Sequence, residues 1–135
     1  STTYRFYCTS TLRVTLNNDG TQQWHAYGAG ALTTDASGNI TAASDARLKN
    51  IQRSFDKGLV EINKLNPVIF KWNEESILDQ ENEYTGFIAQ EIMKEIPEAV
   101  GVMQNGYYTL SDRPIIAALV NAVKELKFKI EQLGG

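Results

Sequence analysis

A serine and a lysine that could carry out nucleophilic chemistry lie five positions apart, at Ser44 and Lys49. A neutral lysine amine can take the proton of a serine hydroxyl, so the two side chains could serve as base and nucleophile. Both residue types are common, and a helix N-cap followed by a surface lysine is the commoner interpretation of such a pair. By themselves the two residues therefore mark only a candidate dyad.

The other reactive residue types offer less chemistry. Cys8 and His25 are the single cysteine and the single histidine, so we expect neither an intrachain disulfide nor a metal site of these ligands. Nothing local would activate a thiolate at Cys8, so a packed cysteine and a surface histidine are the commoner interpretation. A polar segment over 73–83 is interpreted as a solvated surface, with the carboxylates Glu74, Glu75, Asp79, Glu81 and Glu83. We therefore expect no metal. No Gly-rich phosphate loop is present either, so we also expect no cofactor.

The composition changes near Ser44. Residues 1–43 contain two basic and two acidic residues and are dense in Thr, Ser, Gly, Asn and Ala, whereas residues 44–135 contain the other 11 basic and 14 acidic residues. A chain of 135 residues with 42% hydrophobic residues suits one domain or two small ones and is not expected to be disordered. Its net charge of −3 argues against a general nucleic-acid binder. We expect neither a membrane span nor a signal peptide.

Short strands are predicted in the first part of the chain. Residues 4–16 are rich in β-branched and aromatic types, and Asn17–Gly20 predicts a turn into a strand over 22–27. Further short strands are predicted at 31–33 and 39–41, around a turn at 35–38. Such strands are too short and polar to be stable alone, so residues 1–43 are interpreted as the end of a larger β structure.

Helices and strands alternate in the second part of the chain. Ser54 is predicted to cap a helix over about 56–65, whose residues Leu59, Ile62 and Leu65 share one face. The remaining predicted elements are a strand at 68–72, a helix over about 87–96 that Pro97 ends, a hairpin at 100–110 with an Asn-Gly turn, and a C-terminal helix over about 113–133. The predicted fold class is α+β.

The C-terminal helix has a heptad pattern. Asp112 is its candidate cap, and Pro114 suits its first turn. Apolar residues recur at spacings of three and four, with β-branched residues at the first heptad position and leucine at the fourth: Ile116, Leu119, Val123, Leu126, Ile130 and Leu133. The pattern favours equally a helix that packs on its own domain and a short coiled coil between chains. Taken alone, β-branched residues at the first position with leucine at the fourth favour two strands, but fewer than three heptads decide little.

Several blocks of residues 44–135 resemble one known family. The blocks are Ser44-Asp45-x-Arg47-Leu48-Lys49-x-Ile51, Leu65-x-Pro67-Val68-x-Phe70-x-Trp72, Gly86-Phe87-Ile88-Ala89-Gln90-Glu91, Pro97-Glu98-x-Val100 and Ala122-Val123-Lys124-Glu125-Leu126. In this order they are similar to the self-cleaving C-terminal chaperone domain of bacteriophage tail spikes and tail fibres, of which the endosialidase spike is the best-known type.

The resemblance implies a function for each part of the chain. Residues 44–135 would form an intramolecular chaperone domain that assembles as a homotrimer and helps the β-rich fibre end, residues 1–43, to trimerise and fold. It would then cut the Ala43–Ser44 bond as a single-turnover serine endopeptidase, with Ser44 as nucleophile and Lys49 as base. Assembly would take place in the cytoplasm of the bacterial host, and the fibre part would remain in the virion tail. The implied partners are copies of the chain and its own upstream fibre, without nucleic acid or membrane.

The proposed cut sets physical conditions on the signature. Residues five apart differ by about 140° around a helix and point to opposite faces of a strand. Ser44 and Lys49 therefore need an irregular turn between Asp45 and Leu48, or else the lysine must come from a second chain. An ordinary lysine, with a pKa of about 10.4, is neutral in only about one molecule in 2,000 near pH 7.

Two supporting roles follow from these conditions. Burial, or the positive charge of Arg47, would favour the neutral form of the base. The attack also needs a donor to the oxyanion, for which Asn50 or a backbone amide in the turn is a candidate. Asp45, Arg47 and Asn50 are accordingly expected to support the dyad.

Two other interpretations stay open at this point. The first is a structural trimerisation module of a fibre that never cuts itself. The second is a related domain of membrane-bound eukaryotic transcription factors similar to the myelin regulatory factor, which the fibre-like residues 1–43 disfavour. Whether the cut occurs within one chain or between chains is left undecided by the sequence.

Overall fold

The short strands predicted for the first part of the chain are present in the computed structural model, which describes residues 3–27, 29–35 and 37–134. The antiparallel strands β1 (Tyr4–Cys8), β2 (Thr11–Leu16) and β3 (Gln22–Trp24) form one sheet, and β4 (Thr33–Thr34) pairs with β5 (Ile40–Thr41). Gly20, in the turn before β3, has a φ of +85°, which glycine adopts without strain. Of the predicted turn at 35–38, Ala36 lies outside the described residues.

The chain divides into two compact units, residues 1–51 and residues 52–135. This division lies after the predicted boundary at 43 and 44, so the signature segment 44–51 belongs to the first unit. The predicted boundary concerns a covalent cut and stays a prediction. None of the helices in the described ranges is long and apolar enough to cross a membrane.

The second unit combines small sheets with helices, which confirms the mixed α and β class. Its elements are α1 (Leu59–Ile62), β6 (Val68–Phe70), β7 (Tyr84–Gly86), α2 (Ala89–Glu95), β8 (Val100–Val102), β9 (Tyr108–Leu110) and α3 (Asp112–Gly134). Strand β6 pairs with β7, and β8 pairs with β9 through a turn in which Gly106 has a φ of +86°. The second helix, the Asn-Gly hairpin and the long C-terminal helix are thus confirmed. The strand predicted at 68–72 is present but ends at Phe70.

The core of the second unit lies between α2 and α3. Its buried residues are Ile92, Ile96, Ala99, Ile115 and Ala118, and Phe55, Ile62 and Leu65 are among the residues packed around them. Helix α2 ends at Glu95, and its cap residue Ile96, which lies immediately before Pro97, has a fully buried side chain. The apolar positions of α2 thus anchor the helix against the start of α3.

The predicted helix over 56–65 is wrong in its first half. Helix α1 begins only at Leu59, after Gly58, whose N–H donates to a Glu61 carboxylate oxygen at 2.8 Å, so Ser54 is not its cap. Upstream of it, Asn121 Nδ2 on α3 donates to the backbone carbonyls of Phe55 at 2.9 Å and Lys57 at 2.8 Å. Because these carbonyls accept hydrogen bonds from α3, the residues just before Gly58 are held against α3 and do not form a helical turn.

Candidate active site

Ser44 and Lys49 lie side by side in the structure. Lys49 Nζ donates to Ser44 Oγ at 2.7 Å. A 3₁₀ turn over Ala46–Leu48 separates them, with the Leu48 N–H on the Asp45 carbonyl and the Lys49 N–H on the Ala46 carbonyl, each at 3.1 Å. This is the irregular turn that the dyad requires, and it brings the two side chains together within one chain.

Asp45 explains why the signature forms this turn. It is the N-cap, and its Oδ1 accepts from the Arg47 N–H at 2.8 Å and from Arg47 Nε at 3.0 Å, while Oδ2 lies 2.8 Å from Arg47 Nη2. The hydrogen bonds from the Arg47 side chain and backbone hold the pKa of Asp45 below its ordinary value, and the nearby Lys49 charge adds to this. Asp45 and Arg47 therefore act on the turn that carries the dyad.

The dyad is open to solvent. Ser44, Arg47 and Lys49 are all exposed, and the Arg47 guanidinium is paired with Asp45. The sequence suggested two conditions that would favour a neutral base: burial of the lysine, and an Arg47 charge that no carboxylate pairs with. Residues 44–51 alone meet neither condition. Asn50 is also exposed, and its role as an oxyanion donor stays a prediction.

The residue before the candidate nucleophile is held by a contact that the sequence argument missed. Ala43 is exposed, and its N–H donates to Thr41 Oγ1 at 3.1 Å. A threonine two positions before a residue is a recognised signal for this local hydrogen bond, because its hydroxyl reaches the second N–H that follows it. Thr41 ends β5, so the contact ties Ala43 to the β4–β5 pair.

The two faces of α3 have different environments. Ile115, Ala118 and Ala122 are buried, so this face packs on the second unit. The heptad residues lie elsewhere on the helix and have exposed fractions between 43% and 89%: Ile116, Leu119, Val123, Leu126, Ile130 and Leu133. Packing of the helix on its own domain therefore does not account for the heptad pattern.

The remaining candidate groups do not form a site in the described part of the chain. Cys8 is exposed at the end of β1, so the expectation of a packed cysteine is wrong. The surface position of His25 is confirmed, and its Nε2 lies 3.0 Å from Thr15 Oγ1. In the acidic loop, Asp79 accepts from the Glu81 N–H and from the Tyr84 hydroxyl, an arrangement that shapes the loop. Over 3–27, 29–35 and 37–134, no group of three metal-ligating side chains is found.

Comparison with known proteins gives two kinds of match. Residues 44–101 match the model of a family described as chaperone of endosialidase, which is classed among the peptidases. The chain is also 32% identical, over 99 residues, to the long tail fiber protein Gp37 of Enterobacteria phage K3 and to that of Enterobacteria phage T2. These alignments cover 70% of the chain but only 8% and 7% of the two fibre proteins.

The family match begins at Ser44, where the composition changes and the signature starts. It covers the turn with Asp45 and Lys49 and extends through α2 and β6. The chain is also similar to two tail fibre proteins of phages over 70% of its length. Residues 44–101 therefore belong to the chaperone-of-endosialidase family, and the chain contains a chaperone domain of the phage tail-fibre type.

Proposed function

We propose that residues 44–135 trimerise and help to fold the end of a phage tail fibre, residues 1–43, and then release themselves by cutting the Ala43–Ser44 bond. The observation that carries the proposal is the 2.7 Å separation of Ser44 Oγ and Lys49 Nζ at the first residue of the family match. A serine and an amine at this distance can exchange a proton directly. The peptidase class of the family agrees with this chemistry.

The proposed reaction uses only groups of the chain and water. The neutral Lys49 amine takes the proton of Ser44 Oγ across the hydrogen bond, and Oγ attacks the carbonyl carbon of Ala43. The Ala43–Ser44 C–N bond breaks, the proton passes to the Ser44 nitrogen, and an ester joins Ala43 to Oγ. Water then hydrolyses the ester, which leaves a carboxylate at Ala43 and restores the Ser44 hydroxyl. Attack by Ser44 on Ala43 of a neighbouring chain gives the same products.

Trimer formation is supported by the exposed heptad face of α3. Ile116, Leu119 and Val123 leave apolar surface in water along the first two turns of this face, and Leu126, Ile130 and Leu133 continue it. Burial of such a surface between copies of the same helix is favourable by about 25 cal/mol per Å² of apolar area. The heptad spacing is that of a seam between helices, and we assign the number of copies, three, from the family resemblance and not from the seam itself.

Assembly supplies a physical reason for the cut. The short and mostly exposed strands of residues 1–43 must be brought together with those of other chains, and a trimerising domain raises their local concentration. Once this domain is removed, unfolding cannot retrace the folding path, so the fibre persists for kinetic reasons. The proposal places assembly in the cytoplasm of the bacterial host and the released fibre in the virion tail.

A non-cleaving trimerisation module is the second candidate function. The exposure of both Ser44 and Lys49 favours it, because a site open to water lacks the strengthened electrostatic interactions of a closed active site. In this case the hydrogen bond between the two side chains would only help to hold the turn. The two candidates agree on assembly and differ on the covalent cut.

The decisive experiment follows the freshly translated chain over time. Intact mass and denaturing electrophoresis should show fragments that end at Ala43 and begin at Ser44. Ser44→Ala and Lys49→Ala should each abolish the cut, while the control variants Ser54→Ala and Lys71→Ala, at exposed positions of the second unit, should be cut normally. A 15.1 kDa wild-type chain that stays intact while light scattering shows a trimer would support the non-cleaving module instead.

A further inference from the structure

The residues just before the proposed cut are restrained by two threonine side chains. Across the β4–β5 pair, Thr33 lies opposite Thr41, and Thr33 Oγ1 donates to the Thr41 carbonyl at 3.2 Å. Thr41 Oγ1 in turn accepts from the Ala43 N–H at 3.1 Å. The backbone from Thr41 to Ala43 is therefore held at both of its ends, by a hydroxyl that donates to the Thr41 carbonyl and by a hydroxyl that accepts from the Ala43 N–H.

These side-chain contacts matter because the strand pair is so short. Strands β4 and β5 have two residues each, so their backbone ladder fixes little on its own. Thr41 is half-buried, whereas Ala43 and Ser44 are exposed. The hydroxyl of Thr41 thus carries the restraint from the sheet to the exposed residue whose carbonyl would be attacked.

The other side of the bond is restrained separately. Asp45 caps the turn through the Arg47 N–H, and the turn holds Lys49 against Ser44. The Ala43–Ser44 peptide group therefore joins two local hydrogen-bonded motifs. Ala43 belongs to the first motif, and Ser44 belongs to the second. Restraint of both reactants lowers the entropy cost of attack, and small misplacements of a reacting group can reduce a rate strongly.

We infer that Thr41 is a positioning residue for the cleavage, which holds Ala43 so that its carbonyl carbon stays within reach of Ser44 Oγ. The inference rests on the proposed function, because it concerns the same bond. Thr41 acts through the Ala43 N–H and takes no proton itself. The base and the nucleophile remain Lys49 and Ser44.

The test measures the first-order rate of cleavage in the full chain with three substitutions. Thr41→Val keeps the branched shape and removes the acceptor, so it should slow the cut about tenfold, the usual effect of one lost orienting hydrogen bond. Thr41→Ser keeps the hydroxyl and should restore most of the rate. Thr34→Val makes the same change at the exposed neighbour of Thr33 and should have no effect.

A positioning role also predicts how the cleavage rate depends on pH. Thr41→Val should lower the rate by the same factor at every pH, because the proton acceptor is unchanged. Equal rates for Thr41→Val and wild type, equal losses for the Val and Ser variants, or a profile of altered shape would each overturn the inference.

Thr33→Val gives a second test if Thr41→Val fails to fold, since it loosens the Thr41 carbonyl and should slow the cut by a smaller factor. A normal rate for that variant would overturn the inference as well.

The result also separates this inference from the proposed function. If wild type is cut at Ala43–Ser44 and Lys49→Ala is not, the dyad stands whatever Thr41→Val does. If wild type stays intact, the cleavage itself is refuted, and the role of Thr41 with it.

Discussion

Asn121 is expected to hold the segment before α1 on α3. Its Nδ2 donates to the carbonyls of Phe55 and Lys57 at 2.9 and 2.8 Å, and the side chain is half-buried. Asn121→Ala removes both hydrogen bonds, at about 1 kcal/mol each. Alanine returns about 0.5 kcal/mol through its higher helix propensity. The free energy of unfolding should therefore fall by about 1.5 kcal/mol, which corresponds to a drop in Tm of about 6 to 12 °C for a domain of this size.

The assay is differential scanning calorimetry in a Ser44→Ala background, so that no cut occurs during the scan. Protein concentration must be the same throughout, because association makes Tm depend on it. Gln132→Ala is the matched control, since it removes a carboxamide from an exposed position of the same helix. A Tm for Asn121→Ala within about one degree of this control would refute the reasoning that α3 holds the segment through Asn121.

Three further outcomes follow from single contacts. The carboxyl of Asp45 should titrate below its ordinary value of 3.8, because Arg47 donates to the charged form. The cap therefore contributes to stability above the ordinary pKa, and this contribution is lost as the pH falls through the lowered pKa. NMR titration should show the pKa of Asp45 rising towards its ordinary value in Arg47→Ala, which removes the side-chain hydrogen bonds and keeps the backbone one. Leu126→Asp should reduce the trimer fraction seen by light scattering, whereas Gln132→Asp, off the apolar face, should leave it unchanged. Gly106→Ala should lower Tm by about 4 to 8 °C, since its φ of +86° costs an alanine about 1 kcal/mol while no neighbouring atom within 4 Å opposes the added methyl group.

The elements that were predicted correctly have local causes. The Asn-Gly turn before Tyr107 needs a residue that tolerates positive φ, and Gly106 supplies it wherever the hairpin lies. Helix α2 ends where Pro97 follows it, and the apolar spacing that marks it is a property of neighbouring residues. The family was recognised from short local blocks such as the one that begins at Ser44, whereas the types and spacing of Ser44 and Lys49 alone marked only a candidate dyad.

The helix before Leu59 was mispredicted because its cause is distant. Its carbonyls are bound by Asn121, 66 positions away from Phe55 along the chain, and no local pattern shows that contact. The spacing of Leu59, Ile62 and Leu65 predicts that they share one face of a helix. The helix that forms includes only Leu59 to Ile62. Cys8 was mispredicted for a related reason, since β1 lies at the edge of its sheet with every residue exposed.

The sequence by itself determined which residues could do chemistry, where the composition changes, and that apolar residues of its last helix follow a heptad pattern. Only the tertiary structure decided that Lys49 turns back to Ser44, that Thr41 holds Ala43, and that α3 packs through Ile115, Ala118 and Ala122 while the seam stays exposed. The physical reason is that residue types and spacing define what a side chain can do. Which atoms meet depends on hydrogen bonds and packing that the folded chain makes in three dimensions.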